Sequence, residues 1–196
     1  MKKQFAIIAA SLAAVCCLGG CKKKGPDIYD TLNSMLDKDY SQIVLTVTDA
    51  FDDDVTLTGR YDINYSVSLV TVYYSVERFA EASLDSPASS AVITYSGKAT
   101  FRGEELVEVT GDDIGLTAEI AKIELHFNSK YFAYSALAGE IMVGSVLNPI
   151  GFLGGRQVFC TDMMVEVSYS DLLKNIRITY TTESGSEVEY FYDFYE

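Results

Sequence analysis

From Ile43 to Phe194 the apolar residues of this chain recur mainly at every second position, and that alternation leaves few folds open. In an extended strand successive side chains point to opposite faces, so a period of two means one face against protein and one against water. Ile43, Leu45 and Val47 alternate with Val44, Thr46 and Thr48. Val55, Leu57, Tyr61, Ile63 and Tyr65 continue on odd positions, and from Val70 the set moves to even ones: Val70, Val72, Tyr74 and Val76. A strand cannot exchange its faces without a break, which predicts a turn or bulge at Ser66 to Leu69. Ile93, Tyr95, Ala99 and Phe101 predict another strand, turned by Arg102 to Glu105 into Leu106 to Val109. The C-terminal pattern is the clearest. Met163 to Tyr169, Ile176 to Thr182 and Val188 to Phe194 alternate strictly, separated by Ser170 to Asn175 and Glu183 to Ser186.

The expected fold is therefore mainly β: a single antiparallel meander of about nine to eleven strands. It forms a curved sheet, half-barrel or barrel, with one or two short helices. A helix is predicted over Asp27 to Leu36, where Ile28, Leu32, Met35 and Leu36 share a face and Asp27 or Asp30 can cap the first turn. Two regions fit more than one state. Ile114 to Phe127 satisfies helical spacing through Leu116, Ile120 and Ile123, and strand spacing through Ile123, Leu125 and Phe127. Tyr131 to Val146 holds an alanine-rich stretch, Ala133 to Ala138, that suits a helix, followed by a strand at Ile141 to Leu147. Asn148 to Gly155 breaks regular structure, and its Ile150, Phe152 and Leu153 are expected to plug an apolar space.

Ahead of all this stands a different kind of segment. Lys2 and Lys3 precede an apolar run from Phe5 to Leu18, too short to span a bilayer as a helix. A basic start, a short apolar core and small residues predict a secretory signal over residues 1–20. Leu18-Gly19-Gly20-Cys21 resembles the lipobox of bacterial lipoprotein precursors. The resemblance implies cleavage before Cys21 and acylation of its thiol (palmitate and related chains). It also implies an extracytoplasmic protein held to a bacterial membrane. Each buried methylene contributes about 0.8 kcal/mol, so two or more chains anchor stably. Residues 21–27, with Lys22, Lys23 and Lys24, are expected to form a lipidated flexible leader, and residues 28–196 a single β-rich domain.

Removing Lys2 and Lys3 with the signal takes the formal charge from −13 to −15. That acidity argues against a nucleic-acid partner, which needs a basic face. With Cys21 acylated and Cys16 and Cys17 cleaved away, Cys160 is alone and no internal disulfide is expected. It reads as a buried small hydrophobe. The single histidine, His126, sits in Leu125-His126-Phe127 on the polar side of an alternation, and reads as structural or surface. One histidine excludes a histidine triad or a multi-histidine metal site within the chain. No nucleophile elbow, phosphate loop or dinucleotide glycine pattern occurs. Asp49, Asp52, Asp53 and Asp54, and the pair Asp112 and Asp113, lack the spacing of a calcium loop and read as solvated turns. No catalytic residue, metal or cofactor is expected, and the chain does not read as an enzyme.

An anchored leader, a short N-terminal helix and a long antiparallel meander resemble, in order and size, the Lol-type lipoprotein-carrier and mycobacterial lipid-carrier half-barrels. That resemblance implies a curved sheet around an apolar space that takes acyl chains. The first expectation is a non-enzymatic module that binds a lipid or other apolar or amphipathic ligand beside the membrane. The second is a structural or protein-interaction lipoprotein of the cell envelope with no small ligand. Abundant tyrosine on the strands fits either cross-strand pairing or a cavity wall.

Overall fold

The computed structural model describes residues 27–51, 54–79 and 92–196. The signal segment, Cys21, most of the leader, Asp52, Asp53 and the polar loop Glu81 to Ser90 lie outside the described residues. The chain begins with helix α1 (Ile28–Leu36) and strands β1 (Gln42–Phe51), β2 (Asp54–Tyr65), β3 (Val70–Phe79), β4 (Val92–Arg102) and β5 (Glu105–Gly111). A crossover through two single 3-10 turns, Ala118–Ala121 and Ser129–Tyr131, leads to β6 (Phe132–Ala138) and β7 (Ile141–Val146). Short helix α2 (Pro149–Phe152) precedes β8 (Cys160–Tyr169), β9 (Leu173–Thr182) and β10 (Glu187–Tyr195).

All ten strands form one curved, unclosed antiparallel sheet in the order β5-β4-β3-β2-β1-β10-β9-β8-β7-β6. The expected meander is present, and it runs twice. Five strands walk from the middle to one edge, the crossover carries the chain to the other edge, and five strands walk back. The first and last strands therefore pair along the sheet centre, from Gln42 against Tyr195 to Ala50 against Glu187. No described helix is long and apolar enough to cross a membrane.

The alternation has the predicted consequence. Register sets Ile43, Leu45, Ile63, Val72, Ala99, Phe194, Ile176, Val167 and Met142 on one face, where all are buried. We call this the covered face. Its cover is α1, the crossover and α2. Helix α1 forms where Leu32 and Met35 can bury, and Asp27 caps it by accepting from the Tyr29 N–H at 3.2 Å. Asn33 ties it down in both directions: Nδ2 donates to the Phe127 carbonyl at 2.8 Å, and Oδ1 accepts from the Phe127 N–H at 2.9 Å. At the other end the Tyr40 hydroxyl donates to the Met35 carbonyl at 2.9 Å and accepts from the Leu173 N–H at 3.3 Å. The helix C-terminus is thereby joined to β9.

The two open readings are now resolved. Residues 112–131 are neither a long helix nor a sheet strand; the segment lies across the covered face and inserts Ala118, Leu125 and Phe127 into the core. Ala133 to Ala138 is strand, in β6. Phe152 plugs the core fully, stacked edge-on against Phe127 and Phe132, whereas Ile150 stays 47% exposed, contrary to expectation. The predicted turn at Asp49 begins later, because β1 continues to Phe51 and Asp49 lies in the ladder opposite Val188 and Leu57.

Candidate functional site

The covered face is not uniformly sealed. Around α1 it is filled by fully buried Leu32, Ile63, Val72, Met142, Phe152 and Ile176. Beyond the cover, tyrosines take over. Tyr61, Tyr180 and Tyr190 are half-buried, and the Tyr180 and Tyr190 rings stack at 6.2 Å between centroids. Burial pushes the Tyr61 and Tyr180 phenols above their ordinary range and that of Tyr192 up to about 12. The recess here, beside Leu125, Leu153 and Arg156, encloses about 60 Å³, room for a water or two. Both expectations about tyrosine hold locally: the rings pair across strands, and they also line a small recess.

A larger recess lies on the opposite, open face. It has a volume of about 510 Å³ and is built from five adjacent strands, β1, β10, β9, β8 and β7. At about 4.8 Å between neighbours, these five strands are roughly 19 Å across. Such a volume falls within the ordinary range of small-molecule sites, about 300–1,000 Å³. Ala50, Val143, Met164 and the methyl groups of Thr48, Thr179 and Thr181 give the groove a mainly apolar lining. The ionic groups are Asp162, Glu166, Arg177, Glu187 and Glu189, four carboxylates against one guanidinium. Arg177 is held. Its Nε lies 3.7 Å from Glu189, its guanidinium carbon lies 5.2 Å from the centre of the Phe191 ring, and the register sets Glu166 opposite it. These contacts leave the groove with excess negative charge.

One backbone feature belongs to this groove. In β8 the register shifts between Thr161 and Met164, so Asp162 and Met163 together face Tyr180. Such a bulge bends its strand and sharpens the local twist. Asp162 adopts φ 53°, the only positive φ outside glycine among the described residues. Left-handed backbone costs an L residue about 1–2 kcal/mol, least for aspartate and asparagine. The bulge lets Met163 bury on the covered face while the next residue, Met164, lines the groove.

The residues singled out in the sequence fall elsewhere. Asp112 Oδ2 accepts from the Ser96 N–H and Asp113 Oδ1 from the Gly115 N–H, each at 2.9 Å. Both are turn residues, as expected. Asp49 Oδ1 is buried on the covered face with no hydrogen-bond partner among the described residues. No group of three or more metal-ligating side chains is assembled among the described residues. His126 is exposed, and its backbone N–H donates to the Phe152 carbonyl at 2.8 Å. Cys160 is half-buried rather than buried, at the margin of the covered face, and partial burial holds its thiol above the usual range, away from reactive thiolate.

Sequence reasoning missed the groove entirely. Its walls are the polar partners of the alternation, which read as a solvated face. Only the pairing of β1 with β10 brings Thr48 and Ala50 beside Glu187, Glu189 and Thr179. No family model matches the chain, and no curated protein is detectably similar to it in sequence.

Proposed function

We propose that this chain is a lipid-tethered, extracytoplasmic binding module without catalytic chemistry. It takes an amphipathic molecule bearing a positive charge in the open-face groove. The tether is the acylated Cys21 implied by the lipobox resemblance, and it holds the sheet beside a bacterial membrane. The observation that carries the reading is the groove's composition, a mainly apolar lining that also holds Asp162, Glu166, Glu187 and Glu189 against a single, already paired Arg177. The apolar part of the ligand would be desolvated against Ala50, Met164, Val143 and the threonine methyls. Its cationic end would meet carboxylates that have no lysine among them. An anionic amphiphile would meet like charge instead.

The test compares a dodecyl-chain ammonium with dodecyl sulfate, each below its micelle concentration, by calorimetry and native mass spectrometry. The ammonium should bind at one site and be lost when Thr179→Trp fills the groove, with the fold intact by circular dichroism. Equal binding of both amphiphiles, or of neither, would sink the reading. The tether is tested separately. Cys21→Ser removes the thiol that takes the lipid and, like globomycin, should leave the chain uncleaved; unaltered processing in either case would refute the tether.

A further inference from the structure

Among the described residues neither edge strand of the unclosed sheet pairs with a further strand, and the two edges differ in one respect that decides what each can accept. Edge strand β5 carries Glu105 and Glu108 and follows Glu104. Antiparallel self-pairing about its middle would set Glu108 against Glu108 of a second copy, and like charges directly opposite are destabilising. This is ordinary protection of an edge.

Edge strand β6 has no such protection. It and its neighbour β7 are the only two of the ten strands without a charged residue, in a chain of formal charge −13. Tyr134 and Leu137 stand 49% and 46% exposed on β6, and its ladder runs only to β7 among the described residues. The outward backbone groups of such a strand are a ready template for another strand. The charges that flank β6 select the orientation. Lys130, in the 3-10 turn before it, and Glu140, in the turn after it, are both exposed, and Glu140 also lies 3.0 Å from Lys174 of its own chain. Antiparallel pairing with a second copy, centred on Ser135, brings Lys130 of each chain towards Glu140 of the other, twice by symmetry. Parallel pairing would bring like to like.

We infer that β6 is the dimerisation edge of this protein, pairing antiparallel with β6 of a second copy. The resulting interface is isologous, so it closes at two chains and does not propagate. The covered faces of both copies fall on the same side of one continuous twenty-strand sheet, twice the ten strands of each chain, because antiparallel partners about a central residue share a face. A strand pair with a few flanking side chains is a small interface, so the dimer forms in a concentration-dependent way. The inference does not depend on the groove.

Sedimentation velocity of the protein extracted in mild detergent tests it. A monomer–dimer equilibrium is expected, and Leu137→Lys should shift it to monomer by placing a charge on the edge. In a Lys174→Ala background, which removes the partner of Glu140 within its own chain, Lys130→Glu and Glu140→Lys should each weaken the dimer about tenfold, and the double reversal should restore it. Circular dichroism checks that each variant folds. A chain that stays monomeric at every concentration, or a dimer indifferent to Leu137→Lys, overturns the inference. So does a double reversal that fails to rescue.

Discussion

Tyr65 and Tyr192 hold phenols that burial pushes up to about 12, and Tyr65 donates from its hydroxyl to the Ala121 carbonyl at 2.7 Å. In the unfolded chain a phenol ionises near 10. Between those values the unfolded state binds fewer protons than the folded one, so stability must fall as pH rises. The contribution is fully present below about pH 10 and is lost as pH approaches about 12. Urea midpoints measured from about pH 9 to about pH 11 should decline, and Tyr192→Phe should flatten the decline. A variant whose slope matches the parent's would refute the assignment. Which tyrosines would be buried was only half legible. The alternation assigned Tyr61, Tyr180, Tyr190 and Tyr192 to one face, but not the place where α1 and the crossover stop. That boundary depends on contacts between distant segments, such as Tyr65 with Ala121.

Elements with strong local signals were readable and those defined by their neighbours were not. Helix α1 was legible because Ile28, Leu32 and Met35 repeat at its own period and Asp27 can cap it. Hairpins β2–β3, β8–β9 and β9–β10 were legible because each closes over a few residues with alternation intact. The crossover was not, since its apolar residues satisfy two periods and its backbone joins no sheet ladder. Its position comes instead from α1. Asn33→Ala orphans both the N–H and the carbonyl of Phe127 and should cost about 2–3 kcal/mol, from two hydrogen bonds at about 1–1.5 each. Asp27→Ala, which removes one exposed cap bond, should cost about 0.5–2 kcal/mol. Chemical denaturation of both variants checks the order, and a larger loss at Asp27 would contradict it. The groove shows the same limit: the sequence assigned Thr48 and Thr179 correctly to strands, but their approach depends on β10 lying between β1 and β9.

At the scale of the whole molecule, the β1–β10 ladder joins two five-stranded halves that otherwise touch mainly through the cover. Nine residue pairs, from Gln42–Tyr195 to Ala50–Glu187, form that seam. A chain ended after Thr182 keeps β1 to β9 in sequence yet separates β1 from β9 by an empty strand position. It should lose the cooperative unfolding transition altogether, whereas removing only Glu196, which follows β10, should leave the transition in place. Thermal circular dichroism distinguishes the two. An intact transition in the shortened chain would mean that the halves fold independently.

The same seam sets a schedule. A polypeptide made, or threaded through a pore, from its N-terminus presents β1 long before β10 exists, so the greasy side of the first half-sheet waits unfinished. Contacts between such remote segments form slowly, and the exposed intermediate is prone to aggregate. Maturation of this protein is thus gated by the arrival of β10, and an escort that shields the early strands until then has a defined interval in which to act.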